Sequence, residues 1–452
     1  MNRVVPVVDE GLGNSTYLVD LGDGRALAVD PSRDLRSLRE VAAARGLRVA
    51  FAAETHLHAD FLSGSVQLAA DDAQVIASAA GARDFPHRGL GDEDEVDLGG
   101  LTLRALATPG HTAEHLSYLL LDGPNALGVF TGGCLLVGAA ARTDLSGAEH
   151  TAGLARAQYR SLQRLARLPD PTTVYPTHGA GSFCSAPPGA ERTSSIGVER
   201  LTNPYLSAPD EDSFVAALLA SLGSYPPYFD RLGDINRLGP PLLGTDTPLI
   251  ALSPDAVEVL RASCAEIVDV RPFEGYAHAH IPGSLSIPLR PVFATWLGWL
   301  VPSAATPLVI VRDPDQDPDE VVWQAAKIGY DHLAGEVADG LRAWTDAGFD
   351  VSSNRLSTPL SADPRTVIDV RQVFEFATGH LPGAANIELG SLDAAAPDLA
   401  GREVVVMCGH GERAATAASV LERAGVTSVA IQAGGPEDWA AATPGRAVQV
   451  DT

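Results

Sequence analysis

Short blocks of apolar residues, broken by glycine and polar pairs, run through the first half of the chain. Val4–Asp9, Thr16–Leu21 and Arg25–Asp30 predict strands, with Gly22-Asp23-Gly24 a hairpin turn between the last two. Asp34–Arg45 predicts a helix, because Leu35, Leu38, Val41 and Ala42 share one face. The run Val49–Ala53 predicts a buried strand. Ser65–Asp72 and Ala77–Arg83 predict helix or turn. Val96–Leu98, Leu101–Ala107, Leu116–Leu121, Ala126–Phe130 and Val174–Tyr175 predict further strands, and Leu154–Arg167 a helix. Two groups of strands with interleaved helices imply an αββα sandwich whose loops gather at one sheet edge. Glu191–Tyr205 and Phe214–Leu222 predict a helical extension. Tyr225-Pro226-Pro227-Tyr228 and Gly239-Pro240-Pro241 then predict a proline-rich exit from this domain.

The second half repeats itself. Ile267-Val268-Asp269-Val270-Arg271 and His280-Ile281-Pro282-Gly283 return 100 residues later as Val367-Ile368-Asp369-Val370-Arg371 and His380-Leu381-Pro382-Gly383. Gly340-x-x-x-Trp344 returns as Gly435-x-x-x-Trp439. This divides the 452 residues into three expected domains, 1–244, 245–355 and 356–452, with a linker near Leu356–Asp363. A net charge of −25 argues against nucleic acid or an anionic membrane as partner. No apolar run is long enough for a membrane helix, and no secretory signal is visible. Cys134, Cys184, Cys264 and Cys408 follow no disulfide or zinc-ribbon spacing, so reduced thiols in the cytoplasm are expected.

Histidines cluster where the predicted strands end. Thr55-His56-Leu57-His58-Ala59-Asp60 follows the Val49–Ala53 run; Gly110-His111-Thr112 and Thr177-His178-Gly179 follow two others. Imidazoles fixed on a rigid edge suit a metal ion. The order of these motifs resembles the metallo-β-lactamase superfamily. Ala59-Asp60 and Gly179-Ala180-Gly181-Ser182-Phe183-Cys184 resemble its persulfide dioxygenase branch. Asp-Val-Arg, then His-hydrophobic-Pro-Gly, then Gly-Gly-x-x-x-Trp resembles the rhodanese domain, a parallel sheet flanked by helices. The whole order resembles metallo-β-lactamase–rhodanese fusions of sulfide and persulfide metabolism, a family in which dimers or tetramers are expected.

Cys408-Gly409-His410-Gly411-Glu412-Arg413 stands between a buried strand (Val404–Met407) and a helix (Ala414–Ala424). Glycines let backbone N–H groups wrap a sulfur, while the helix start and Arg413 add positive potential. By resemblance this is the rhodanese loop: Cys408 carries sulfane sulfur as a persulfide, and Arg413, Gly409, His410, Gly411 and Glu412 surround it. The first repeat has Arg312 at the matching place, in Arg312-Asp313-Pro314-Asp315, so it is expected to be structural. Cys264 is expected to be a packed core residue.

Persulfide dioxygenases, by resemblance, hold one ferrous ion with two histidines and an aspartate, here His56 and His111. The aspartate of Phe-Thr-Gly-Asp is missing: the run is Phe130-Thr131-Gly132-Gly133-Cys134. Phe61 stands where a second-metal histidine is usual. Donors for one Fe2+ or Zn2+ ion remain among His56, His58, His111, His178 and Asp60, with Cys134 a remote substitute. Restoring the carboxylate with Gly133→Asp is expected to raise iron occupancy. Gly138-Ala139-Ala140-Ala141-Arg142-Thr143-Asp144-Leu145 keeps the arginine that in the family lies by the thiol substrate, as Arg142, but has Ala139 for an acidic residue. Cys184 is either a persulfide carrier or a core thiol. The expected substrates are a glutathione-like thiol persulfide or thiosulfate. The rival readings are a non-catalytic scaffold or sensor and a mononuclear zinc thioester hydrolase.

Overall fold

The computed structural model describes residues 3–184, 191–244, 248–357, 367–426, 428–442 and 447–450. The chain forms two compact units, Met1–Thr245 with Ala326–Gly329, and Asp246–Ala325 with Tyr330–Thr452. Among the described residues no helix is long and apolar enough to cross a membrane.

The first unit is built on two six-stranded sheets. One runs in chain order through Val4–Asp9, Asn14–Asp20, Arg25–Val29, Arg48–Ala53, Gln74–Ser78 and Arg88–Leu90. Its first three strands are antiparallel and the rest parallel. The other runs Ser194–Ser195, Thr173–Pro176, Asn125–Gly132, Leu116–Asp122, Thr102–Ala107 and Glu95–Asp97. Their facing sides share one core: Tyr17, Val19, Leu27, Val29 and Ile76 from the first, Leu103, Tyr118, Leu120 and Phe130 from the second. Tyr17 sits 5.6 Å from Phe130 and 5.1 Å from Tyr175, ring centre to ring centre. Such pairs add about 0.5–1.5 kcal/mol each beyond area burial. Helices cover the outer faces. Arg36–Ala44 and Ser65–Ala70 pack through Leu35, Leu38, Ala42 and Leu68 on the first sheet. Ala148–Leu165 and Glu211–Ala220 pack through Ala155, Leu162, Phe214 and Leu218 on the second. The layers are therefore α, β, β, α.

Ala77–Arg83, expected as helix or turn, is the end of the strand Gln74–Ser78 followed by a single 3-10 turn, Ala79–Gly81. The proline-rich exit contains a helix, Phe229–Leu238, which buries Phe229, Leu232 and Asn236.

The second unit holds both repeats, each a five-stranded parallel sheet. The first is ordered Ala251–Leu252, Leu333–Val337, Leu308–Val311, Glu266–Asp269, Leu285–Ser286. The second is ordered Arg355–Ser357, Val429–Gln432, Val404–Met407, Val367–Asp369, Ala385–Asn386. Leu356 and Ser357 thus belong to a strand, and the rest of the expected linker, 358–363, lies outside the described residues. The repeated motifs are structural: Asp269 pairs with Arg271 at 2.6 Å and Asp369 with Arg371 at 2.7 Å. His280 stacks on Tyr276 and His380 on Phe376, each at 3.8 Å. Gly340 and Gly435 are small for the same reason. A Cβ would fall 2.7 Å from the Arg312 carbonyl in one repeat and 2.7 Å from that of Gly409 in the other.

Candidate functional site

Three strand ends and a loop bring the histidines of the first unit together. The ligating atoms of His56, His111 and His178 lie within 4.8 Å of one another, all buried. Each ring is held through Nδ1. The His111 Nδ1–H donates to the Arg142 carbonyl at 2.7 Å. The His178 Nδ1–H donates to Asn14 Oδ1 at 2.9 Å, and Asp60 Oδ2 lies 3.3 Å away. His56 Nδ1 faces Thr55 Oγ1 at 2.8 Å; that hydroxyl already donates to Asp30, so the proton sits on the imidazole. All three rings then turn Nε2 inward. His111 Nε2 is buried with no hydrogen-bond partner, and the Nε2 atoms of His56 and His178 are 3.4 Å apart.

Two carboxylates sit one layer out. Asp30 accepts from the Thr55 backbone N–H and hydroxyl at 2.7 Å each, accepts from the Thr177 hydroxyl, and lies 3.2 Å from His58 Nε2. The threonines of the two Thr-His motifs are thus spacers that fasten both loops to one buried aspartate. Asp60 accepts from Asn14 Nδ2 at 2.8 Å. Burial pushes the Asp60 carboxyl up, but the imidazoles of His178 and His58 and the Asn14 bond outweigh it and hold the group at about 2. Burial and the neighbouring His178 lower His111 to about 3. His178 moves the other way: against burial, Cys184 and Asp60 beside it raise its pKa.

His58 stacks on Phe61 at 4.2 Å with Nε2 3.2 Å from Asp30, and its ligating atoms also lie within 4.8 Å of those of Asp60 and His178 and of those of Asp30 and His56. Other expected site residues are engaged elsewhere. Cys134 belongs to the core under the outer helices and is no substitute ligand; burial raises its pKa. Arg142 is buried, and its guanidinium is taken by Asp144, Phe183 O and Gly223 O and covered by the Tyr225 ring at 4.4 Å. It anchors loops and, through its own carbonyl, orients His111; it does not wait for an anion. Cys184 is buried beside His178. Gly133 allows a close approach, since a Cβ there would fall 2.2 Å from His111 Cδ2. The His111 ring occupies the space of the absent aspartate, so Gly133→Asp does not simply restore a ligand.

Asn14, Asp30, His115, Tyr228 and Asn236 carry the site without having been singled out in the sequence. His115, four residues past His111, stacks on His56 at 5.1 Å and accepts the Gly133 N–H at 3.0 Å. Asn236 donates to the carbonyls of His58 and Phe61 at 2.8 and 2.9 Å and accepts the Ser63 N–H at 2.8 Å. The spacing of His111 and His115 was a usable signal; a lone asparagine in a surface-like helix was none.

In the second unit, Cys408 lies at the end of Val404–Met407, 1% exposed, and its Sγ accepts the Gly411 N–H at 3.1 Å. Gly411 has φ 118°, which lets the loop turn into the helix Glu412–Arg423. His410 is exposed at the loop tip. Arg413 forms a two-pronged pair with Glu375 at 2.7 and 2.8 Å. Burial raises the Glu375 carboxyl, but Arg413 outweighs it and the net shift is downward. In the first repeat Arg312 follows Leu308–Val311 and pairs with Glu336, filling the matching loop with a neutralised cation. Cys264 is exposed, not packed: it has φ 66° in the turn between the helix Pro254–Ala262 and the strand Glu266–Asp269.

Comparison with known proteins follows the same division. The rhodanese-like domain family matches residues 253–347 and 352–442. The human mitochondrial persulfide dioxygenase ETHE1 is 31% identical over 207 residues, covering 44% of this chain and 73% of the human protein. A hydroxyacylglutathione hydrolase of Methylobacillus flagellatus is 37% identical over 162 residues, 34% of this chain and 58% of that one. The crystal structure of a metallo-beta-lactamase from Staphylococcus aureus is 28% identical, with a TM-score of 0.65 over 75% of this chain and 99% of the other. These findings place the chain in sulfur metabolism in general. It belongs to the family of metallo-β-lactamase-fold persulfide dioxygenases fused to rhodanese domains.

Proposed function

We propose that this chain is a cytoplasmic sulfurtransferase that carries sulfane sulfur on Cys408, between a thiol persulfide or thiosulfate and a thiol acceptor. The observation that carries the reading is the Cys408 loop: a buried sulfur accepting a backbone N–H, at the start of a twelve-residue helix, with Arg413 in its first turn. We take residues 1–244, 245–355 and 356–452 as its three domains and a homo-oligomer as its working form.

The first unit fits one ferrous or zinc ion. His56, His111 and His178 would hold it, since each is fixed by its Nδ1 and offers Nε2. Such an ion, when bound, supplies an electrophilic centre open to a thiol sulfur. Around it, Asn14 and Asp60 hold the proton on His178 Nδ1, and the Arg142 carbonyl holds that on His111 Nδ1. Phe61 stacks on His58 and Asn236 holds the His58–Phe61 loop closed. With no aspartate at Gly133, persulfide oxidation at this centre is expected to be slow.

The test is transfer from thiosulfate or glutathione persulfide to cyanide. Cys408→Ser should abolish it, and Cys264→Ser should leave it intact because that thiol is exposed in a remote turn. Equal rates in wild type and Cys408→Ser would end the assignment.

A further inference from the structure

The first repeat has no thiol at the loop that matches Cys408, yet it lies along the helix that begins at the Cys408 loop. The contacts advance in order. His280 Nε2 meets Glu422 at 2.9 Å, and the Gly283 N–H points to the same carboxylate. The Ser286 N–H donates to Ser419 Oγ at 3.1 Å. Four residues on, Arg290 is within electrostatic range of Glu412, Arg413 and Cys408. Each step along the first repeat moves toward the start of Glu412–Arg423. Phe273 closes the same corner: a Cβ on Gly411 would fall 2.6 Å from its ring.

The matching position of the second repeat does the opposite. Ile287 and Leu289 donate to the carbonyls of Asp269 and Val270, as Ile387 and Leu389 do to those of Asp369 and Val370. Arg290 therefore corresponds to Gly390. A Cβ at Gly390 would fall 1.8 Å from Trp299 Nε1, so the indole of the first repeat leaves no room for a side chain there. The repeats differ at this position, and the arginine is in the repeat whose contacts run along Glu412–Arg423 toward the Cys408 loop.

The two guanidiniums at the loop are not equivalent. Arg413 is committed to both oxygens of Glu375, whereas among the described residues no hydrogen bond or ion pair holds the guanidinium of Arg290. Arg290 is half-buried. Burial lowers its pKa, with Arg413 adding to the effect. A guanidinium in that setting is a standing receptor for an anion.

We propose that Arg290, supplied by the repeat whose loop carries Arg312 in place of the cysteine, binds the anionic group of the sulfur donor at the Cys408 site. This rests on the sulfurtransferase reading above. The thiolate of Cys408 attacks the outer sulfur of thiosulfate. The S–S bond breaks, its electron pair leaves on sulfite, and Cys408 is left as a persulfide. Arg290 holds the sulfonate oxygens through that step; the carboxylates of a glutathione-type persulfide offer the same chemistry. The first repeat is then half of the binding site.

The experiment uses the full chain carrying Cys264→Ser, so that the exposed competing thiol is gone. Cys408 is alkylated with iodoacetate, an anion, and iodoacetamide, which is neutral, and the modified peptide is followed by mass. Arg290→Gln should lower the ratio of the two rates about tenfold, the size of one charge-assisted hydrogen bond. Arg290→Lys should keep the ratio within about threefold of wild type. In steady state, Arg290→Gln should raise KM about tenfold with kcat little changed. The donor whose KM rises, thiosulfate or glutathione persulfide, is the one Arg290 receives. An unchanged alkylation ratio, or a KM unchanged for both donors, overturns the proposal. Transfer that survives Cys408→Ser would overturn the sulfurtransferase reading instead, and the alkylation ratio would still decide the role of Arg290.

Discussion

Gly133 tests the metal centre most sharply, because the structure says what a side chain there would strike. A Cβ would fall 2.2 Å from His111 Cδ2, 2.7 Å from Cγ and 2.9 Å from Nε2. Carbon atoms rest at about 3.5 Å, so the ring or the loop must give way by about 1 Å or more. His111 is not free to move, with Nδ1 donating to Arg142 O at 2.7 Å and its backbone N–H to Gln158 Oε1 at 3.0 Å. Overpacking of this kind costs about 1–3 kcal/mol, and surrendering the Arg142 bond about 1 kcal/mol more. Tenfold in affinity is about 1.4 kcal/mol, so Gly133→Ala should weaken metal binding about tenfold or more. Gly133→Asp carries the same Cβ, so its carboxylate enters only by displacing the imidazole, and occupancy should fall rather than rise. The measurement is metal content by mass spectrometry after equilibration against graded chelator, with circular dichroism to confirm folding. Wild-type affinity in Gly133→Ala would mean that His111 is no ligand. Tighter binding in Gly133→Asp would mean that the loop accommodates both groups. Either result refutes the reasoning.

Asp60→Asn removes the charge beside His178 while leaving a side chain of the same shape; metal affinity should drop about 10- to 100-fold, read in the same chelator titration. Glu375→Gln should lower the stability of the second unit by about 1–3 kcal/mol at pH 7, measured by chemical denaturation. Because the Glu375 pKa is held below its ordinary 4.5, its stabilisation is complete above that value and lost as pH falls through the depressed one. The gap between wild type and Glu375→Gln should therefore narrow as pH falls below 4.5; a gap that does not narrow there would show that the loss is not that of the ionised pair.

What was legible in the sequence was whatever leaves a local periodic trace. Alternating apolar residues marked the strands of both sheets, and the 100-residue repeat marked the paired sheets, where each Asp-Val-Arg turned out to be a buried ion pair. His56, His111 and His178 were visible as strand-end motifs and converge. The residues that fix their tautomers or brace their loops were not: Asn14, Asp30 and Asn236 act through contacts with residues 164, 25 and 178 positions away. Cys264 stands next to a core strand and so reads as core in the sequence, while a left-handed turn puts its side chain outside. Arg142 showed its charge in the sequence, but not the partners that neutralise it.

The missing ligand at Gly133 changes where the negative charge lies more than how much there is. A two-histidine, one-carboxylate set offsets a dication directly, whereas three imidazoles leave it whole. Here two aspartates are buried just behind the rings. Asp60 faces the Nδ1 of His178 at 3.3 Å, and Asp30 reaches His56 through the Thr55 hydroxyl. Each carboxylate polarises an imidazole without touching the ion, which raises the basicity of the ligand. That arrangement supports binding of one dication. Held by His56, His111 and His178 alone, the ion would have no anionic oxygen bonded to it and would receive less of the electron donation on which oxidation chemistry depends. On the function proposed above, the first unit would hold a metal and a thiol rather than oxidise the sulfur, and the Cys408 loop would move it.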